Sequence, residues 1–307
     1  MIKALLALRR HARMKRLALL MAMWMLCITP AFAADTAAGS LMSLAGAPDV
    51  RSASVLILDE TNVSVLYQRQ GSVTTPIASI TKLMTALVVL DASQPLDDII
   101  EITKDDTNTV KGAHSRLPVG AKVSRGDLLH VALMSSENRA AHALGRSYPG
   151  GLAAFVRAMN TKARSLDMHT AHFVDPTGLS GGNVASPLDL AELVVAAAKY
   201  PTIREFSTDG VHSVPTARGR IEFRNTNPLV SNPDWHIVVQ KTGYLSEAGR
   251  CLVMKTVIEG RELVIVLLDS FGKYTRTADA RRIRKWIESS VHGAPATAVA
   301  GVPAEGK

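Results

Sequence analysis

Three short runs in this chain carry residue types able to perform acyl transfer. Ser79-Ile80-Thr81-Lys82 sets a hydroxyl and an amine three residues apart, which on a helix places both on one face within reach of a proton transfer. Serine is a weak nucleophile at neutral pH, so the amine must spend part of its time uncharged, although lysine ordinarily titrates near about 10.4. A desolvated pocket with a second cation beside it would lower that value. The spacing recurs at Ser270-Phe271-Gly272-Lys273, so spacing alone does not define a site. The second match holds a glycine and sits where a strand is expected to end, whereas the first opens a long apolar segment. The competing reading of the first match is a capping serine followed by a solvated lysine.

Ser136-Glu137-Asn138 falls in a polar break between two helical runs. There it either presents a hydroxyl and an amide on a loop, or serves as an ordinary helix cap through Ser136. Lys241-Thr242-Gly243 follows the apolar strand Ile237 to Gln240. A cation and a hydroxyl at a strand end can hold a carboxylate, and the glycine lets a substrate lie against the backbone. The competing reading is a turn with a solvated lysine.

The elements that must carry these runs follow from local pattern. Ser54 to Leu58 and Val63 to Tyr67 flank Asp59-Glu60-Thr61-Asn62 and read as a β-hairpin. Ile77 to Leu90 is apolar almost throughout and is expected as a central helix. Residues 124 to 198 read as an interrupted all-helical block, with runs at Leu128 to Met134, Arg139 to Leu144, Gly151 to Leu166 and Pro187 to Tyr200. After Pro201 the pattern turns to strands at Ile237 to Gln240, Arg250 to Ile258 and Glu262 to Leu268, then a last helix at Arg276 to Ser290. The expected class is α+β, with one antiparallel sheet built from both chain ends, flanked by helices, plus an all-helical subdomain.

Six cations without an acid precede the apolar run Leu17 to Ile28, and Ala31-Phe32-Ala33 follows. This pattern predicts a signal peptide over 1–33, cleaved after Ala33 in a periplasmic, secreted protein, with Met14 as an alternative start. Leu26 is too large to precede a lipidated cysteine, so Cys27 belongs to the leader. Residues 34–50 read as a loose lead-in, 51–290 as one catalytic domain with a helical insert at about 91–200, and 291–307 as a disordered tail. The formal charge of +8 comes mostly from the leader: 29 of the 35 basic residues remain beyond residue 33, against 27 acids. That near balance argues against a nucleic-acid partner. No later segment is long enough to span a bilayer, which leaves only loose association with a membrane surface. Cys251 alone follows the leader, so no internal disulfide is expected, and its apolar surroundings read as a buried, inert thiol. His169-Thr170-Ala171-His172 is the nearest approach to a metal pair and lacks a third ligand, so neither metal nor cofactor is expected.

The order Ser-x-x-Lys, Ser-x-Asn, Lys-Thr-Gly resembles that of penicillin-binding proteins and serine β-lactamases. The wider text Met134-Ser-Ser-Glu-Asn-Arg-Ala-Ala141, Phe173-Val-Asp-Pro-Thr-Gly-Leu-Ser180 and Lys241-Thr-Gly-Tyr244 is similar to the low-molecular-mass D-alanyl-D-alanine endopeptidases related to penicillin-binding protein 7. The resemblance covers roughly residues 50 to 290. It implies a DD-peptidase/β-lactamase-like fold, an acyl-enzyme on Ser79, Lys82 as base, and Ser136 as proton relay to the leaving amine. It implies too that Asn138 orients Lys82 and the substrate amide. Lys241 and Thr242 would face a substrate carboxylate, and the backbone N–H groups of Ser79 and Tyr244 would form the oxyanion hole beside Gly243. The implied partners are peptidoglycan cross-links, with β-lactams as covalent inhibitors. The glutamate that commonly deacylates β-lactamases lies in a Glu-x-x-Leu-Asn setting, and here Glu192 begins Glu-Leu-Val-Val-Ala. Cleavage of cross-links and removal of terminal D-alanine use the same three motifs. The family likeness, and a chain that ends soon after its last helix, favour the former. A metal-dependent endopeptidase and a non-catalytic penicillin sensor are the readings from other classes.

Overall fold

Strands from the two ends of the chain meet in one sheet. The computed structural model describes residues 46–107, 115–217 and 219–292; the expected leader and most of the expected tail lie outside them. β1 (Ser54–Asp59) and β2 (Ser64–Arg69) form the expected hairpin. A two-residue strand, β3 (Thr75–Pro76), leads to a single 3-10 turn at Ala78–Ile80 and then to α1 (Thr81–Asp91). Thr81 through Val89 are all buried, so this helix is stabilised by its surroundings rather than by a cap.

The expected helical insert, about 91–200, contains strands of two short ladders. β4 (Ile99–Glu101) pairs with β5 (Lys122–Ser124), and β6 (Val184–Ala185) pairs with β3. The stretches are too short to show a strand period, so they left no sequence signal. Between β5 and β6 run α2 (Arg125–Met134), α3 (Asn138–Arg146) and α4 (Gly151–Ser165), and α5 (Pro187–Ala197) follows β6. Ser124 caps α2, and Ser186 with Asp189 forms a capping box on α5 ahead of Pro187.

After Pro201 the chain does not turn directly to strands. It makes α6 (Pro201–Thr208), whose proline supplies a helix start, and the hairpin β7 (Val211–Thr216) with β8 (Gly219–Arg224). β9 (His236–Leu245), β10 (Gly249–Ile258) and β11 (Arg261–Ser270) then complete the sheet in the order β2-β1-β11-β10-β9, and α7 (Thr275–His292) closes the described chain.

The central strands are buried on both faces. In β11, Val264, Val266 and Leu268 join the helices α1 to α3 and α5 in one core, while Leu263, Ile265 and Leu267 pack with Ile283 and Ile287 of α7 in another. That explains why β11 reads as an unbroken apolar run rather than an alternating one. Residues 46–50, expected as part of a loose lead-in, are tied down: Val50 joins the α7 core, and the Trp286 indole donates to the Gly46 carbonyl. Cys251 is buried in β10, where burial pushes its thiol up to about 11. His169 and His172 line an outer groove along α4 with Arg157 and Arg164.

Candidate active site

The serine of the first motif sits on the 3-10 turn, two residues before α1 begins. Ala78 holds a left-handed φ of 48°, unusual for a residue with a Cβ, and its carbonyl accepts the Thr81 hydroxyl at 2.8 Å. The amide of Ile77 donates to the Asn183 carbonyl at 3.0 Å, anchoring the approach to the turn.

Lys82 is fully buried and its Nζ has three partners. They are Ser79 Oγ at 2.9 Å, Asn138 Oδ1 at 2.8 Å and the Thr177 carbonyl at 2.5 Å. Two of the three are carbonyl oxygens, which can only accept. A neutral amine has two N–H bonds and one lone pair. With both N–H bonds committed to Asn138 and Thr177, the lone pair is left for the one partner able to donate, the Ser79 hydroxyl. Burial lowers the Lys82 amine to about 7, against the opposing pull of the Asp175 and Glu137 carboxylates. Lys241, the second cation expected to depress it, is not among the causes of this shift, which comes from burial. Lys241 is itself held well below the ordinary lysine range by burial first, then by the charges of Lys82 and Arg276.

The second motif lies where α2 ends and α3 begins. Glu137, not Ser136, caps α3 by accepting the Arg139 amide. Ser136 stands in the left-handed region at φ 62°, and its hydroxyl has no hydrogen-bond partner among the described residues. Asn138 is the first residue of α3 and reaches Lys82 as described.

The third motif is inside a strand, not after one, since β9 continues to Leu245. The sequence reading stopped at Gln240 because a lysine, a threonine and a glycine look like a turn. Lys241 and Thr242 are nevertheless buried, and Lys241 Nζ donates to the Thr242 carbonyl at 2.9 Å. Gly243 is where the strand meets the Ser79 turn: a Cβ there would come within 3.2 Å of the Ser79 amide nitrogen and 3.1 Å of Ala78 Cβ. The Tyr244 ring is exposed beneath the Arg250 guanidinium, 4.4 Å from its centroid.

Four residues were missed or left without a role by sequence reasoning. The Asp175 carboxylate accepts the Thr177 amide and hydroxyl at 2.6 Å each, the Gly178 amide at 2.8 Å, the Ser180 amide at 3.1 Å and Asn183 Nδ2 at 2.6 Å. Burial alone would raise its pKa, but these bonds outweigh it and hold the group below its ordinary value. The turn so formed aims the Thr177 carbonyl at Lys82. Thr226 bridges the second and third motifs, its amide on the Met134 carbonyl at 3.1 Å and its hydroxyl on that of Thr242 at 2.6 Å. Arg276 of α7 donates to the carbonyls of Gly243 at 2.6 Å and Cys251 at 3.0 Å. Asp-Pro-Thr-Gly could have been read as a turn closed by its own aspartate; nothing in one sequence marks Thr226 or Arg276. The rival Ser270 and Lys273 do not meet as a dyad: Ser270 is buried against the Ser52 hydroxyl at 2.7 Å, and Lys273 is exposed.

A serine on a buried lysine, flanked by a Ser-x-Asn loop and an edge-strand Lys-Thr-Gly, within this fold, defines an active-site-serine enzyme of the penicillin-binding protein and β-lactamase superfamily. The fold matches a serine-to-alanine mutant of the Streptomyces K15 DD-transpeptidase with a TM-score of 0.73 at 29% identity, covering 78% of this chain and 98% of that one. The chain belongs to the peptidase S11 family, described as D-alanyl-D-alanine carboxypeptidase, which it matches over residues 42–272. It is 48% identical to a D-alanyl-D-alanine endopeptidase of Pseudomonas aeruginosa, over 82% of each chain. It is 46% identical to one from Escherichia coli, over 88% of this chain and 87% of that one. It is a serine-type D-Ala-D-Ala peptidase.

Proposed function

We propose that this is a periplasmic DD-endopeptidase that opens D-alanyl-diaminopimelate cross-links of peptidoglycan through an acyl-enzyme on Ser79. The observation that carries the chemistry is the three-way coordination of Lys82, which leaves its lone pair for the Ser79 hydroxyl. Ser79 Oγ attacks the D-alanyl carbonyl as its proton passes to Lys82. The oxyanion is held by the N–H groups of Ser79 and Tyr244, each donor worth roughly 2.7–4 kcal/mol of barrier. The Ser136 hydroxyl, uncommitted among the described residues, relays the proton to the departing amine, whose release leaves an ester on Ser79. Water then cleaves that ester. Lys241 and Thr242 receive the substrate carboxylate, whose charge would favour the protonated form of Lys241 that burial and the neighbouring Lys82 and Arg276 now oppose. The leader-like start of the chain supports export, and the two endopeptidase relatives support cross-links as substrate.

The test is to give the protein a cross-linked muropeptide dimer and a monomeric pentapeptide and weigh the products. The dimer is expected to be split. Loss of terminal D-alanine alone would establish the carboxypeptidase instead. Penicillin should leave an adduct on Ser79 that persists for many turnover times; prompt release would contradict this reading.

A second expectation concerns pH. Because Lys82 must be neutral to accept the proton and its pKa lies at about 7, the rate of Ser79 acylation by penicillin should climb as pH rises toward 7. It should level off above that, by about tenfold per pH unit on the acid limb. A profile flat between about pH 5 and 9 would exclude Lys82 as the base.

A further inference from the structure

The two most exposed large apolar side chains of the described residues lie beside this site: Phe271 is 92% exposed and Tyr274 70%, and Tyr244 near them is 58% exposed. Sheet register brings them together: Tyr244 on β9 faces Arg250 on β10, which faces Ser270 on β11, and Phe271 follows Ser270 directly. Two strand spacings, about 10 Å, thus separate Tyr244 from the start of the Phe271–Tyr274 turn. Arg250 lies over the Tyr244 ring, and Lys273 Nζ is 5.4 Å from the Tyr274 centroid.

The exposure is not that of a loose end. Ser270 is buried against Ser52, the Thr275 hydroxyl bonds the Phe271 carbonyl, and the Ala278 amide donates to the Tyr274 carbonyl at 2.9 Å. The one acid between Asp269 and Arg276, Asp269 itself, turns its carboxylate toward Gly249. What remains outward is three rings and two cations on a fixed surface. It begins one residue from Gly243, which abuts the Ser79 amide. A held apolar patch of this kind marks a contact surface.

We propose that Phe271, Lys273 and Tyr274, with the side chains of Tyr244 and Arg250, bind the uncleaved peptidoglycan polymer beyond the scissile bond. The inference rests on the reading of the enzyme as a peptidoglycan peptidase. Amino-sugar rings present C–H faces that pack on aromatic rings, and acidic stem peptides supply carboxylates for Arg250 and Lys273. Continuity with the Ser79 site favours this occupant over a lipid surface, for which aromatic rings and cations are also suited.

The test places Phe271→Ala with Tyr274→Ala, and separately Lys273→Glu, in a Ser79→Ala background. It then measures co-sedimentation of the full chain with insoluble cross-linked peptidoglycan. The double substitution should weaken binding about tenfold and the charge reversal about fivefold. With Ser79 restored, acylation by penicillin, which carries neither an amino sugar nor a stem peptide, should stay within about twofold of the parent, because these side chains touch no part of the dyad. Unchanged sedimentation, or a parent that does not sediment with the polymer, would overturn the proposal. So would loss confined to vesicles of phosphatidylglycerol and phosphatidylethanolamine, which would assign the strip to a membrane. Binding in the Ser79→Ala background needs no catalysis, so failure to split the dimer would refute the endopeptidase reading and leave this readout standing.

Discussion

Lys82→Met is expected to reduce acylation of Ser79 by penicillin by on the order of 10⁴-fold or more, while removing one source of the protein's pH-dependent stability. The amine loses affinity for its proton on folding, from the ordinary 10.5 to about 7. Above about 10.5 both states are neutral and folding carries no cost from this group. As pH falls toward 7 the unfolded chain binds a proton that the folded chain refuses, and the cost grows by about 1.4 kcal/mol per unit. Below about 7 the folded amine is protonated too, and the full cost is present. Methionine has a similar length and no charge to desolvate, but it leaves Asn138 Oδ1 and the Thr177 carbonyl without their donor, at about 1–3 kcal/mol each. The decisive readout is therefore the slope. Parent stability should gain on the variant between about pH 7 and 10.5, and a melting-temperature difference constant across that range would disprove a depressed Lys82.

Gly178→Ala is expected to cost at least about 2–4 kcal/mol of stability and about 100-fold or more in acylation rate. Gly178 holds φ +79°, and a Cβ there would stand 2.0 Å from the Ala78 carbonyl oxygen and 2.4 Å from its carbon. Both obstacles are backbone, so no rotamer change relieves them. Relief must come from movement of the Ala78–Ser79 turn or of the Asp175 loop that carries Thr177. Either breaks the reach of Lys82 to Ser79. Near-parental acylation by this variant, measured at a temperature where circular dichroism shows it folded, would mean the turn is not held by this contact.

Much of the site was legible because its key spacing is covalent. Ser79 and Lys82 fall on one turn whatever the rest of the chain does; Ser136, Asn138, Lys241 and Gly243 were singled out by type and order, and folding brings Asn138 to Lys82 and Gly243 to the Ser79 amide. The strand hairpin at the start and the apolar runs of β10 and β11 were equally plain, since burial on one or both faces imposes its own pattern. The failures share a cause. Lys241-Thr242-Gly243 was placed at the end of its strand rather than inside it because local polarity cannot report that a lysine is buried among other chain segments. The α6 helix and the β7–β8 hairpin carry mixed polar residues whose period is weak. The competing reading of Ser136 as a cap fails as well, since the neighbouring Glu137 takes that role.

Sequence by itself determined which groups could react, their order, and the local geometry of the nucleophile and its amine. Tertiary structure decided which of two Ser-x-x-Lys runs brings its serine and lysine together, because Ser270 is spent on Ser52 while Ser79 faces Lys82. It decided also that Lys82 can be a base. Burial lowers its pKa, and two carbonyl oxygens, from residues 56 and 95 positions away in the chain, occupy its N–H bonds. Neither desolvation nor a contact across such separations is written in local spacing; both exist only once the segments have packed.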